Sequence, residues 1–401
     1  MRIKGLLLFT LALFVLLIIN WQVGCGQNSE AGISTTTTGS SATTTSTSVT
    51  TTTGAASADI IFIQLPFDVN NVGAVSPLGY LAAYSRSNPS PAHMYGQSRH
   101  LVWNKVLGVS YEVYAPATAE VVTYRKYYDY GFYFGNSDCQ YFLDHIGSLA
   151  PSFEALLVAH IEGEAIEESS PFLQVDTPFS VPAGMLIGYT GAQIYGDSYY
   201  SSFDWGFLAY TSPEGIVSLE SYPSVIYRYA RSVYDYSSDD VKEQLRDLAG
   251  RWLAETEDFI SREGEPPLGA FGCDVVGTLQ GVWFYDKVVD PDWGQKIAVF
   301  SPYYLNSANL QIGLHIPDID MFGAYYDIVP SEVGREDRCF ANVTTNEGIV
   351  GYVLQSSYGW DDGLLLVQMV DEDTLKLETR KDILTMPSSP SFSASAILLT
   401  R

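Results

Sequence analysis

The chain has 401 residues and is strongly acidic, with 46 Asp and Glu against 21 Lys and Arg and a net charge of −25. Such a charge repels the phosphate backbone of nucleic acids, so the composition excludes nucleic-acid binding. Hydrophobic residues make up 46% of the chain and charged residues only 17%. These proportions indicate a folded protein with a large core rather than a disordered one.

The N-terminus has the features of an export signal. Arg2 and Lys4 precede an apolar run over residues 6–19, which is shorter than the roughly 20 residues of a membrane span. The segment Gln22-Val23-Gly24-Cys25 that follows resembles the lipobox of bacterial lipoproteins, with Gln22 at the usual leucine position. The resemblance implies a signal peptide over residues 1–24 and a lipid on Cys25 that anchors the chain to the membrane. An uncleaved anchor helix and ordinary secretion are the alternatives, and all three place the bulk of the protein outside the cytoplasm.

Composition divides the rest of the chain. Residues 25–58 comprise the cysteine and a Thr/Ser-rich tract without apolar periodicity, which predicts a linker. Short strand-like runs at 59–63, 111–114, 121–124, 130–134, 181–191 and 205–210 then predict an antiparallel β domain over 59–236. A β-barrel or sandwich is expected over 265–401, from runs at 277–284, 296–301, 310–315, 348–354, 364–370, 374–378 and 392–400.

One amphipathic helix is expected to connect these two β domains. Residues 237–264 carry acidic residues at the start and an apolar stripe at helical spacing, formed by Val241, Leu245, Leu248, Trp252 and Phe259. Gly264, followed by Pro266 and Pro267, ends the predicted helix. The predicted fold class is therefore mainly β, with two antiparallel β domains and one connecting helix. Gly281-Val282-Trp283 resembles the Gly-x-Trp of lipocalin-type barrels.

The most specific motifs lie in the first β domain. Residues 113–117 read VYAPA, residues 181–191 read VPAGMLIGYTG, and residues 141–149 read YFLDHIGSL between them. In order and spacing these segments resemble the LytM/lysostaphin-type zinc peptidases, which cleave peptidoglycan cross-links. The resemblance implies a compact, mostly antiparallel β domain with a shallow groove.

The zinc-binding pattern of that family is degraded in this sequence. The family's His-x-x-x-Asp is matched by His100 with Asn104, or by His93, which has no acidic residue four positions later. The late His-x-His is matched by Asp204 and Gly206, and glycine has no side chain to bind a metal. A catalytic zinc needs three protein ligands, so no cofactor is expected. His145, in the stretch 141–149, is predicted to be a buried, hydrogen-bonded residue.

Three cysteines follow Cys25, and a disulfide between Cys273 and Cys339 is the preferred pairing because both lie in the C-terminal half. Spacing alone does not show that their Cα atoms are close enough.

The expected function is a non-catalytic binding or scaffold protein of the cell envelope. Its partners would be the membrane, through the lipid, and peptidoglycan, a glycan or an envelope protein. A zinc-dependent peptidoglycan endopeptidase is the alternative, and only that alternative uses zinc. A further alternative is a C-terminal barrel that binds a small apolar ligand beneath Trp283.

Overall fold

A computed structural model describes residues 60–79, 98–106, 108–161, 166, 169–191, 193–195, 198–199, 202–210, 216–217, 219–222, 225–253, 256–285, 296–316, 319–321, 324–328, 339–355 and 361–401. The predicted mainly β fold is confirmed, because antiparallel sheets dominate this part of the chain. Cys25, the linker and His93 lie outside the described residues. No helix within the described ranges combines the length and apolar character needed to cross a membrane.

The first part of the described chain forms one large sheet and several smaller ones. Its strands are β1 Val72–Val75, β2 His100–Asn104, β3 Glu112–Tyr114, β4 Ala119–Lys126, β5 Tyr130–Gly135, β6 Cys139–Ile146, β7 Ser148–Leu149, β8 Ser169–Val181, β9 Leu186–Tyr189, β10 Gln193–Tyr195, β11 Ser198–Tyr199, β12 Ser202–Ala209, β13 Ala230–Arg231, β14 Gly250–Leu253 and β15 Asp258–Ser261. The large sheet has the order β1-β2-β12-β6-β5-β4-β8, and β13 pairs with β12. Strands β3, β9 and β7 form a second sheet.

One face of the large sheet forms the core of this part of the molecule. Phe62, Tyr141 and Trp205 are fully buried there and pack edge to face, with ring centroids 5.1–5.6 Å from that of Phe62. Neighbouring residues on a strand point to opposite faces. The residues that alternate with Tyr141 and Trp205 therefore lie on the other face, which carries the candidate site.

The helices are α1 Pro151–Val158, α2 Val225–Tyr229 and α3 Asp239–Leu248. The prediction of a helix through residue 264 is wrong in its second half, because the chain turns back at Ala249 and forms the hairpin β14–β15. Gly250 permits the close pairing of β14 with β15, since a Cβ there would lie 2.3 Å from the carbonyl oxygen of Ile260. The first turn of α3 carries two aspartates, as expected for the positive end of a helix dipole.

The C-terminal part forms a barrel-like antiparallel sheet of eight strands. They are β16 Gly281–Phe284, β17 Ile297–Pro302, β18 Leu310–His315, β19 Ala324–Ile328, β20 Val350–Leu354, β21 Gly363–Met369, β22 Thr374–Lys381 and β23 Ile397–Thr400. The sheet has the order β19-β18-β17-β16-β23-β22-β21-β20. Strands β16 and β23, the first and last of the eight along the chain, therefore pair with each other. The strand runs predicted from the sequence match seven of these strands, and β19 was missed.

The inner side of this sheet holds a continuous cluster of buried side chains, including Trp283, Phe300, Tyr326, Tyr352 and Leu377. The indole Nε1 of Trp283 donates to the carbonyl of Leu279 at 2.9 Å, and the guanidinium of Arg401 lies 4.1 Å from the centre of its ring. A barrel that binds an apolar ligand beneath Trp283 would need an open cavity at that position. Among the described residues, the neighbours of Trp283 are packed side chains.

A second apolar cluster joins the large first sheet to the barrel-like sheet. It contains Phe142 and Leu208 from the large sheet, together with Val282, Phe284 and Val299 from β16 and β17. Phe142 and Leu208 lie on the face opposite the core, so this cluster covers part of the outer face of the large sheet.

Candidate functional site

A bulge in β6 places two polar side chains on the outer face of the large sheet. Tyr130 pairs with Ile146 and Phe132 with Leu143, so Asp144 and His145 both lie opposite Gly131. His145 has a left-handed φ of 65°, which lets these consecutive residues turn to the same face. A Cβ on residue 131 would lie 2.4 Å from Asp144 Oδ1, so glycine leaves the space that the carboxylate occupies.

Arg125 and Asp129 bracket this bulge from the hairpin between β4 and β5. Arg125 Nη2 donates to Asp144 Oδ1 at 2.5 Å and to Asp129 Oδ1 at 2.7 Å, so one nitrogen bridges two carboxylates. The other oxygen of Asp129 lies 2.5 Å from His145 Nδ1. The guanidinium also faces the ring of Phe172, 5.3 Å from its centre. Both aspartates are buried, which strengthens these contacts because water does not screen them.

Asp204 completes the group from the neighbouring strand β12, where it pairs in register with Asp144. Its Oδ2 lies 2.8 Å from Arg99 Nε and 3.4 Å from His145 Nε2. The same arginine approaches Asp144, with Nη1 3.9 Å from Oδ2. Asp204 is only 1% exposed, so its charge depends on these two cationic neighbours.

The ion network thus consists of Arg99, Arg125, Asp129, Asp144, His145 and Asp204. Burial disfavours a charged imidazole, but the negative charge of Asp204 and the hydrogen bond to Asp129 outweigh it, so the pKa of His145 is raised above its ordinary value. The network thus combines three basic groups with three carboxyl groups, and burial raises the pKa of Asp144 against the charges of His145, Arg125 and Arg99, which lower it.

The other predicted ligands lie away from the network. His100 and Asn104 are buried on the core face of β2. His100 Nδ1 lies 2.8 Å from the carbonyl oxygen of Ser76, and its Nε2 lies 3.3 Å from the amide nitrogen of Val233. Asn104 Nδ2 donates to Thr190 Oγ1 at 3.0 Å. Both side chains therefore have structural partners and point away from Asp204.

Gly206 lies on the same face as Asp204, but its surroundings are closed. A Cβ at this position would lie 2.1 Å from Cζ of Phe142, whose ring rests against the glycine. Phe142 belongs to the apolar cluster that joins the two large sheets. A histidine cannot occupy position 206 unless this cluster is rearranged.

The zinc site that the LytM-type resemblance implies does not fit these residues. His100 and Asn104 lie on the wrong face of the sheet, and Gly206 supplies no ligand. Ligand atoms of Asp129, Asp144 and His145 do lie within 4.8 Å of one another. However, Arg125 donates to both of these carboxylates and so brings a positive charge into that group. Such a charge opposes the entry of a divalent cation.

The expected disulfide is not formed, because Cys273 is a free thiol. Burial first, and then the charge of Asp274, raise the pKa of Cys273 above its ordinary value. The pairing prediction rested on both cysteines lying in the C-terminal half, and nearness in sequence does not bring two Cα atoms within bonding distance.

Comparisons with known proteins give distant results. No protein-family model matches the chain, and no curated protein matches it. The chain is similar to the NMR solution structure of lysostaphin, with a TM-score of 0.26 and 9% identity over 74% of this chain and 89% of that chain. The lipocalin-type resemblance gains no support. A TM-score this far below 0.5 does not establish a shared fold or a shared function.

Of the positions that the sequence singled out as degraded family positions, His145 and Asp204 lie in the ion network and Gly206 does not. The two arginines, Asp129 and Asp144 were not predicted. One signal was available, since Arg125 and Asp129 flank a Tyr-rich turn four residues apart, which favours contact across a tight hairpin. The bulge that brings His145 to the outer face has no comparable signal in the sequence.

Proposed function

We propose that this chain is a non-catalytic binding or scaffold protein of the cell envelope, held at the membrane through a lipid on Cys25. The ion network carries the proposal. It occupies the part of the large sheet where the LytM-type resemblance would place zinc and a catalytic base, and Asp204 there is paired with Arg99 rather than poised to activate water.

Two further features support a non-catalytic role. Phe142 fills the space beside Gly206, and the apolar cluster extends from Phe142 to the outer side of the barrel-like sheet. A peptidase groove must admit a peptide to its floor. Because this outer face is buried against the barrel-like sheet, it serves to hold the two sheets together. The partner, whether peptidoglycan, a glycan or an envelope protein, would then be bound elsewhere on the surface.

The lipid anchor is consistent with the charge of the chain. A surface with a large negative charge is repelled by anionic headgroups, so basic residues do not assist membrane attachment. Two or more acyl chains give stable attachment without such help. The Thr/Ser-rich linker would then separate the folded part from the membrane.

Cleavage activity tests the catalytic half of the proposal. Purified peptidoglycan is incubated with residues 59–401 in the presence of added zinc, and soluble muropeptides are measured by chromatography. We expect no release above a protein-free blank. Zinc-dependent release that is lost in a His145→Ala variant would contradict the proposal and favour the endopeptidase alternative.

Fractionation tests the anchor. The full chain is expressed in a bacterial host that processes lipoproteins, beside a Cys25→Ser variant. We expect the unmodified chain in the membrane fraction and the variant outside it. A variant that stays in the membrane fraction would indicate an uncleaved anchor helix instead.

A further inference from the structure

Arg125 occupies an unusual position for a surface-strand arginine. A single nitrogen, Nη2, lies between Asp129 Oδ1 and Asp144 Oδ1 at 2.7 and 2.5 Å. His145 lies on the far side of Asp129, with Nδ1 2.5 Å from its other oxygen. The Arg125 cation thus lies between two carboxylates, one of which also contacts an imidazole. Two carboxylates and one imidazole are a donor set that divalent metals such as zinc accept.

The spacing of the donors also suits a metal ion. Ligand atoms of Asp129, Asp144 and His145 lie within 4.8 Å of one another. Two ligands at 2.0–2.2 Å from a tetrahedral zinc are about 3.4 Å apart, so small side-chain rotations bring the three donors into range. These are not the positions at which the LytM-type family holds its zinc, since the resemblance places those ligands at His100, Asn104 and Gly206.

A further carboxylate is available next to this group. Asp204 is 1% exposed, and among the described residues its Oδ1 has no hydrogen-bond partner. Its Oδ2 lies 3.4 Å from His145 Nε2. A buried carboxylate oxygen without a donor is unfavourable, and the same carboxylate contacts His145 through its other oxygen.

We propose that Arg125 is the resident cation of a closed metal site, and that its removal opens a divalent-metal site formed by Asp129, Asp144 and His145 with Asp204 beside them. In the native chain the guanidinium neutralises the carboxylates and excludes the metal. The inference rests on the proposed non-catalytic use of this face, and it adds that a single residue keeps the metal out.

The test compares zinc binding by residues 59–401 with and without Arg125. Arg125→Gln removes the charge and keeps a polar but shorter side chain, which vacates the position between the two carboxylates. Arg99→Gln is the matched control, because it removes the other arginine and leaves Arg125 between the two carboxylates. Zinc is titrated by calorimetry after metal removal, and melting temperature is measured with and without zinc.

We expect one zinc per chain for Arg125→Gln and none for the native chain or Arg99→Gln. At a zinc concentration about 100 times Kd, binding should raise the melting temperature of Arg125→Gln by roughly 5 °C. Adding His145→Ala or Asp129→Asn to Arg125→Gln should abolish both effects. If Arg125→Gln is unfolded without metal, zinc should refold it.

Three results would overturn the inference. They are a folded Arg125→Gln that binds no zinc, an unfolded Arg125→Gln that zinc does not refold, and binding that survives the loss of His145 and Asp129. Zinc bound by the native chain together with muropeptide release would instead overturn the proposed function, so the two failures are distinguishable.

Discussion

Acidification should destabilise the first domain through His100, which is fully buried in the core. A carbonyl oxygen only accepts, so His100 Nδ1 carries the hydrogen donated to Ser76. An amide nitrogen donates, so Nε2 must be the unprotonated acceptor of the Val233 N–H. The imidazole is therefore held neutral, and a second proton on Nε2 would face a donor. Burial lowers the pKa of His100 to about 4, against the opposing hydrogen bond to Ser76.

The sign and the size of the effect follow from proton linkage. The unfolded chain binds a proton at His100 near pH 6.5, whereas the native chain does so only near pH 4. The free energy of unfolding therefore falls as the pH drops between these values, by up to about 1.4 kcal/mol per pH unit and about 3 kcal/mol in total. The contribution is fully present above pH 6.5 or so.

Urea unfolding of residues 59–401 at neutral pH and near pH 4.5 measures this loss. His100→Gln is the control, because glutamine keeps a donor and an acceptor and does not titrate. Between the two pH values, the native chain should lose about 2–3 kcal/mol more than His100→Gln. The many acidic residues titrate in both proteins, so only the difference between the two losses reports on His100. Equal losses would refute the reasoning.

Three further perturbations address the outer face of the large sheet, each measured by urea unfolding. Gly206→Ala should destabilise the protein by about 1–3 kcal/mol because its Cβ meets the ring of Phe142, and adding Phe142→Leu should recover part of the loss. Asp204→Ala should cost about 3 kcal/mol by leaving Arg99 without its partner, and adding Arg99→Met should reduce that loss. His145 has a raised pKa, so its contribution to the free energy of unfolding is present below about pH 6.5 and is lost as the pH rises through the raised value. The free energy of unfolding should therefore fall less with rising pH in His145→Asn than in the native chain. Asparagine is chosen because it tolerates the left-handed backbone. Equal stabilities for the single and double variants, or equal pH dependence for His145→Asn, would contradict these contacts.

The β-strands of the C-terminal part were the most predictable feature. Runs such as 364–370 and 374–378 combine branched apolar residues with a short polar turn, and the structure pairs them as β21 and β22. Local composition is enough to predict these strands, because strands that are consecutive in the chain are also neighbours in the sheet.

The second half of the predicted helix failed for a tertiary reason. Trp252 and Phe259 fit the apolar stripe in sequence, but Trp252 packs its ring against the backbone at Gly73 and donates from Nε1 to the carbonyl of Lys105 at 3.2 Å. A hairpin allows this contact across the first domain. Phe259 is exposed on β15, so the apolar spacing predicted neither its environment nor the hairpin that replaces the second half of the helix.

The site was predictable only in part for a similar reason. His145 and Asp204 lie in segments with a recognisable pattern. Arg99 is brought to its carboxylates by the pairing of β2 with β12, and Arg125 by the pairing of β5 with β4 and β6. Each arginine by itself is typical of a solvated strand. Only the assembled sheet shows that both arginines face buried carboxylates.

The central claim is that the outer face of the large sheet is an ion-paired face and not a metal centre. Zinc content, measured by mass spectrometry on residues 59–401 after incubation with zinc and removal of free metal, tests this claim most directly. The account predicts far less than one zinc per chain, and the same value for a His145→Ala variant. One zinc per chain in the native protein that is lost in His145→Ala would contradict it.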